Sequence, residues 1–162
     1  MVAIYAALTE HNNYNAQHIA VYELLYRVLD SFYGYPKCQL TLCRTTEGKP
    51  YCKNLPLQFS LCHTDGLILV AVSDLPCGID AEKSDRVISD AVARRFLKLD
   101  SATIKDWTRY ESVGKMIGCG VPYDPEELDL SSCYSRIYSE PIGYTVCCAS
   151  SANDFPNQII IL

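Results

Sequence analysis

Leu57-Gln58-Phe59-Ser60-Leu61-Cys62-His63-Thr64-Asp65-Gly66-Leu67-Ile68-Leu69-Val70-Ala71-Val72, followed after Leu75-Pro76 by Cys77-Gly78-Ile79-Asp80-Ala81, decides the fold class. Residues 57–61 read as a strand, and Asp65-Gly66 as a hairpin turn, where glycine takes the left-handed backbone. Residues 67–72 are a continuous apolar strand, and 77–81 a third. Toward the N terminus, Glu47-Gly48-Lys49-Pro50 is a turn, and Leu40 and Leu42 alternate with Gln39 and Thr41 as in a strand. From about Asn15, the residues Ile19, Tyr22, Leu25, Leu29 and Phe32 recur at helical spacing, up to a Gly34 placed to end the helix. His11-Asn12-Asn13 separates that helix from a buried strand over 2–9. Toward the C terminus the pattern predicts helices over 88–97 and 101–117, the second ended by Gly118 and Gly120. A loop over 122–127 follows, then strands over 132–138 and 144–149, and an apolar last strand over 159–162. This order predicts an α+β protein with largely antiparallel sheets. A helix followed by a run of strands occurs in each half, without a repeat in the letters.

The 162 residues, 49% of them hydrophobic, are enough for a single domain over 1–162 with its own core. The formal charge of −5 argues against non-specific nucleic-acid binding. No apolar run approaches the ~20 residues that cross a bilayer, which predicts no membrane partner. The apolar opening, 2–8, lacks the basic flank and cleavage site of a signal peptide. Nine cysteines show no C-x2-C pair, and their odd number disfavours a complete disulfide framework. The expectation is a cytoplasmic protein with free, mostly buried thiols.

Asp80 and Glu82 share one face of a strand, while Ile79 and Ala81 point into the core. Two adjacent carboxylates repel unless a cation sits between them, and their hard oxygens suit Mg2+ or Mn2+. Solvated acids on an edge strand are the plainer alternative. Glu111 and Lys115 stack one turn apart on a helix, as an ordinary surface ion pair would. A core Trp107 would pin that face near the sheet, letting Glu111 reach the same metal and Lys115 a phosphate. His63 follows apolar Phe59 and Leu61, and Lys49 sits in the turn. Alone, each also reads as a structural histidine and a solvated lysine.

The order of these words resembles the 4'-phosphopantetheinyl transferases, in a compact form of the larger, surfactin-synthetase-activating (Sfp-like) class. The likeness runs through Gly48-Lys49-Pro50, Leu55-Pro56, Phe59-Ser60-Leu61-Cys62-His63-Thr64, Gly78-Ile79-Asp80-Ala81-Glu82, Arg95-Phe96 and Trp107 to Lys115, and closes with Gly143-Tyr144 to Asp154-Phe155-Pro156. The resemblance implies two pseudo-symmetric halves, roughly 1–73 and 74–162. Each would have a small, mostly antiparallel sheet packed on helices, with coenzyme A between them in a monomer. It implies Mg2+ on Asp80, Glu82 and Glu111, and Lys115 on the pyrophosphate. Lys49, Cys62 and His63 would face the nucleotide end, with His63 near the 3'-phosphate. The implied reaction moves the 4'-phosphopantetheine arm of coenzyme A to a serine of an acyl or peptidyl carrier protein, releasing 3',5'-ADP. Glu111 or Asp100 would take the serine proton. The alternative is a non-catalytic coenzyme A-binding relative. A carrier would dock on Arg94, Arg95 and Lys98 with Phe96 or Met116. Three features depart from the family: Cys62 replaces a usual serine, Tyr110 replaces the lysine before the glutamate, and the stretch from Phe96 to Trp107 is short, with only Asp100 or Asp106 as stand-ins for its glutamate. The N-terminal half also lacks a basic segment, and His18 lies where an arginine is expected.

Overall fold

The computed structural model describes residues 1–10, 13–126 and 131–162. In chain order its elements are β1 (Ala3–Leu8), α1 (Tyr14–Tyr33), β2 (Leu42–Arg44), β3 (Pro50–Cys52), β4 (Gln58–Thr64), β5 (Leu67–Ser73), β6 (Cys77–Lys83), α2 (Asp90–Val92), α3 (Ile104–Ile117), β7 (Tyr134–Tyr138), β8 (Tyr144–Ser150) and β9 (Ile160–Ile161). The α+β expectation holds. The polar break at 11–12 and the end of the loop at Glu127 lie outside the described residues.

The β4–β5 hairpin forms around Gly66 (φ 78°), with antiparallel register from Gln58↔Ser73 to Thr64↔Leu67. Strand β5 also pairs antiparallel with β1, and β9 adds in parallel to the far edge of β1, giving the order β4-β5-β1-β9. A second sheet, β6-β8-β7, is antiparallel throughout. Strands β2 and β3 form a separate pair. Because side chains alternate along a strand, each face of the first sheet finds a different cover. Tyr5, Phe59, Ile68, Val70 and Val72 meet α1. Ile4, Ala6, Leu67, Leu69 and Ala71 meet Ile79, Ala81, Val146 and Cys148 of the second sheet in one shared core. All nine cysteines are free thiols. Among the described residues no helix is long and apolar enough to cross a membrane.

Helix α1 begins where the Asn13 side chain accepts the Ala16 N–H at 2.9 Å, and ends at Gly34 (φ 73°). Its buried stripe is Ala20, Val21, Leu24, Leu25, Val28 and Leu29, which corrects the expected face. Ile19 and Phe32 are 60% and 50% exposed. Ile19 sits about a third of a turn from Leu25 around the helix, so it turns away from the sheet. The helix expected over 88–97 is also different. It holds α-geometry only over Asp90–Val92 and then widens into a π-turn over Ala93–Leu97, closed by Lys98 in the left-handed region (φ 58°). Helix α3 starts three residues later than expected because Thr103 caps it. The Thr103 hydroxyl accepts the Asp106 N–H, and the Asp106 carboxylate accepts the Thr103 N–H at 2.8 Å. The expected strand around Leu40 begins instead at Leu42, after a 3-10 turn over Lys37–Gln39.

The edges of the two sheets meet where β4 runs beside β6. Side chains, not a backbone ladder, close this seam. Ser60 Oγ accepts the Ile79 N–H at 3.0 Å, the Cys62 thiol lies 4.0 Å from the Ala81 carbonyl, and the Thr64 hydroxyl lies 3.5 Å from Glu82 Oε2.

Candidate functional site

Strand β6 carries Asp80 and Glu82, and α3 carries Glu111 and Lys115 across from them. The helix can lie this close because Gly78 has no side chain. A Cβ there would stand 2.0 Å from the Ser112 carbonyl oxygen and 2.5 Å from the Met116 nitrogen. Trp107 does not supply this close approach, contrary to expectation. Its ring meets Phe96 and Tyr110, each at 5.9 Å.

Asp80, Glu82, Glu111, Lys115, Cys62 and His63 line one cleft of about 460 Å³, together with Tyr14, His18, Tyr22 and Arg44. Asp80 is only 3% exposed. Its Oδ1 accepts the Lys115 ammonium at 2.8 Å and faces the Cys62 thiol at 3.7 Å, whereas Oδ2 is buried without a hydrogen-bond partner. Lys115 also donates to the Ile79 carbonyl at 3.0 Å. Burial works to lower the Lys115 pKa, but Asp80, Cys62 and Glu111 together hold it above its ordinary value. Burial pushes the Cys62 thiol up to about 12, so it is a neutral donor toward Asp80. Glu82 is raised by burial, against an opposing pull from Arg86, with which it pairs.

Glu111 is pushed up from 4.5 to about 8, first by burial and then by the charge of Asp80. Folding therefore favours its protonated form. The stability this contributes is full below about 4.5 and is lost as pH rises through about 8. In cation-free buffer, thermal unfolding should show stability falling by on the order of 3 kcal/mol over that window, after discounting for the part of the group that water reaches. Glu111→Gln should flatten the slope, and an unchanged slope in the variant would place the titration elsewhere.

A hard divalent cation meets a mixed setting here. The three carboxylates share one cleft, and one buried oxygen of Asp80 lacks a partner. Yet among the described residues no three His, Cys, Asp or Glu side chains are placed so that together they could hold a metal ion. Arg86 and Lys115 hold Glu82 and Asp80. The carboxylate donors and the buried, unpartnered Asp80 oxygen have the chemistry that a hard cation takes.

The other expected residues lie apart. Lys49 is not in the cleft. Its ammonium donates to the carbonyls of Cys77 (3.2 Å) and Met116 (2.9 Å), tying the turn to β6 and the end of α3, and burial lowers its pKa. Asp100 is exposed and does not line the cleft; its carbonyl accepts Arg94 at 3.5 Å. Asp106 is committed to the Thr103 cap. Tyr110 faces away from the cleft and stacks on Tyr123 at 4.2 Å, its hydroxyl donating to the Tyr123 carbonyl at 2.6 Å. Of the residues expected to dock a carrier, Arg94, Arg95 and Lys98 are exposed. Met116 is only 8% exposed and packs with Val113 and Ala149. Tyr14 and Arg44 also line the cleft, as does Tyr22, which the helical spacing had placed on the apolar face. For the two tyrosines the signal was the recurrence of Tyr14, His18 and Tyr22 every four residues.

No family model matches the chain. The chain is similar to the 4'-phosphopantetheinyl transferase psf-1 of Bacillus pumilus, with 28% identity over 115 residues, covering 62% of this chain and 49% of that protein. The chain thus spans about half the length of the curated relative it matches. The likeness supports the phosphopantetheinyl transferase superfamily as the class to which the sequence words point.

Proposed function

We propose that this protein is a 4'-phosphopantetheinyl transferase of the Sfp-like type, acting on coenzyme A and an acyl or peptidyl carrier protein. One observation carries the reading: words far apart in sequence, ending in His63, Asp80, Glu82, Glu111 and Lys115, line a single cleft. The seam between β4 and β6, where the two proposed halves over 1–73 and 74–162 meet, runs beside it. The carrier's serine oxygen attacks the β-phosphorus of coenzyme A. A P–O bond forms there, the bridging P–O bond breaks, and 3',5'-ADP leaves. Lys115 offsets charge on the phosphoryl oxygens as the bond breaks. Asp80, Glu82 and Glu111 are the residues that would hold Mg2+, which when bound supplies Lewis-acid neutralisation of the diphosphate. Glu111 takes the serine proton. It lines the cleft, and Asp100 does not.

The test is transfer of a fluorescent coenzyme A analogue to a panel of fatty-acid, polyketide and peptide-synthetase carrier proteins, with Mg2+ and with chelator. Mg2+-dependent labelling is expected. Binding of coenzyme A without labelling of any carrier would convert the reading to that of a non-catalytic binder. No binding at all would remove it.

A further inference from the structure

The cleft has a second pole. Tyr14, His18 and Tyr22 on α1, His63 on β4 and Arg44 at the end of β2 line it with no carboxylate among them. The rings form a continuous wall. Tyr14 stacks on His18 at 5.9 Å, His63 stands edge-on to Tyr14 at 4.9 Å and to His18 at 5.9 Å, and His18 meets Tyr22 at 5.1 Å.

Arg44 is set into this wall rather than left loose. Its Nη1 donates to the Gly48 carbonyl at 2.9 Å and its Nη2 to the Tyr22 hydroxyl at 3.0 Å. Gly48, at φ 90°, belongs to a turn closed by its own N–H on the Thr45 carbonyl at 3.0 Å. Two of the five guanidinium donors are thus anchored, leaving three for a ligand. The other cations near the cleft are engaged elsewhere: Lys115 by Asp80, Lys49 by two carbonyls, Arg86 by Glu82. Burial, reinforced by His18, lowers the His63 pKa and disfavours a charge on that ring. A fixed guanidinium beside aromatic faces suits a phosphomonoester carried next to a flat base.

Given coenzyme A as the ligand proposed above, we propose that Arg44 is the specificity-determining residue for its 3'-phosphate and that Tyr22 is the positioning residue that aims the guanidinium. Arg44 lies on β2, outside every sequence word that carries the family resemblance. It takes the place of the basic segment missing from the N-terminal half.

The experiment is calorimetric binding of coenzyme A and of dephospho-coenzyme A, which lacks only the 3'-phosphate. Wild-type protein should prefer coenzyme A by about 10- to 100-fold, the span of a charge-assisted contact. Arg44→Ala should erase that preference while leaving dephospho-coenzyme A affinity within about twofold. Arg44→Gln, which keeps the side chain's length, should do the same. Tyr22→Phe should reduce the preference several-fold without touching dephospho-coenzyme A, an effect that a purely structural tyrosine would not produce. Equal weakening of both ligands by Arg44→Ala, or no weakening of either, overturns the assignment, as does a wild-type protein that binds both alike. If wild-type protein binds neither ligand, the failure belongs to the coenzyme A reading itself.

Discussion

Gly78→Ala is expected to destabilise the protein by more than about 4 kcal/mol, a loss reached only by severe core defects. The added carbon would occupy space held by the Ser112 carbonyl and the Met116 backbone, at 2.0 and 2.5 Å. Both obstacles are main-chain atoms of α3, so no side-chain rotation relieves the overlap. Backbone strain plays no part, because Gly78 does not adopt a positive φ. The helix must lift from β6, and Glu111 and Lys115 then move away from Asp80. Chemical denaturation should show either a collapsed midpoint or no cooperative transition. A variant with wild-type stability would mean that α3 does not rest on β6 as described.

Asp80→Asn should lower transfer activity by about 100- to 1,000-fold, the scale for losing one electrostatic contributor at a phosphoryl centre. The amide keeps the shape of the carboxylate but removes the charge that faces Lys115 at 2.8 Å. Breaking one side of a buried ion pair costs about 3–5 kcal/mol. Lys115 retains 34% of its side-chain exposure, so about 2–3 kcal/mol is the expected stability loss here. The two effects separate by measurement. Activity is read well below the unfolding midpoint, and stability is read by urea titration. Wild-type activity in a stable Asp80→Asn protein would remove Asp80 from the site.

Much of this was legible in the letters. Apolar runs bounded by Asp65-Gly66 and Leu75-Pro76 give three strands, because period and turn chemistry are local properties. Asp80, Glu82, Glu111, Lys115 and His63 were expected in one site because their order resembles that of a known family; singly, each kept a plainer reading. The position of Lys49 could not be read, because the difference between a ligand contact and a bond to the carbonyls of Cys77 and Met116 is tertiary. The face of α1 was misread because Ile19 and Phe32 are as apolar as their buried neighbours, and only the sheet beneath selects the stripe. The helix over 88–97 fails for a similar reason: its residues are adequate helix formers, and the wide turn at Ala93–Leu97 is set where Lys98 turns left-handed. Arg44 gave no signal, because an isolated arginine before a turn acquires meaning only when Tyr22 is beside it.

The parallel pairing of β1 with β9 joins Tyr5 to Ile160 and Ala6 to Ile161, and the Leu162 N–H closes on the Ala6 carbonyl at 2.9 Å. Strand β1 is thus completed by residues about 155 positions further along the chain. During translation the outer edge of β1 stays unpaired, offering its amides and carbonyls to any neighbouring chain, until residue 161 has emerged. Loss of residues 160–162 would expose the same edge of β1 in the folded protein.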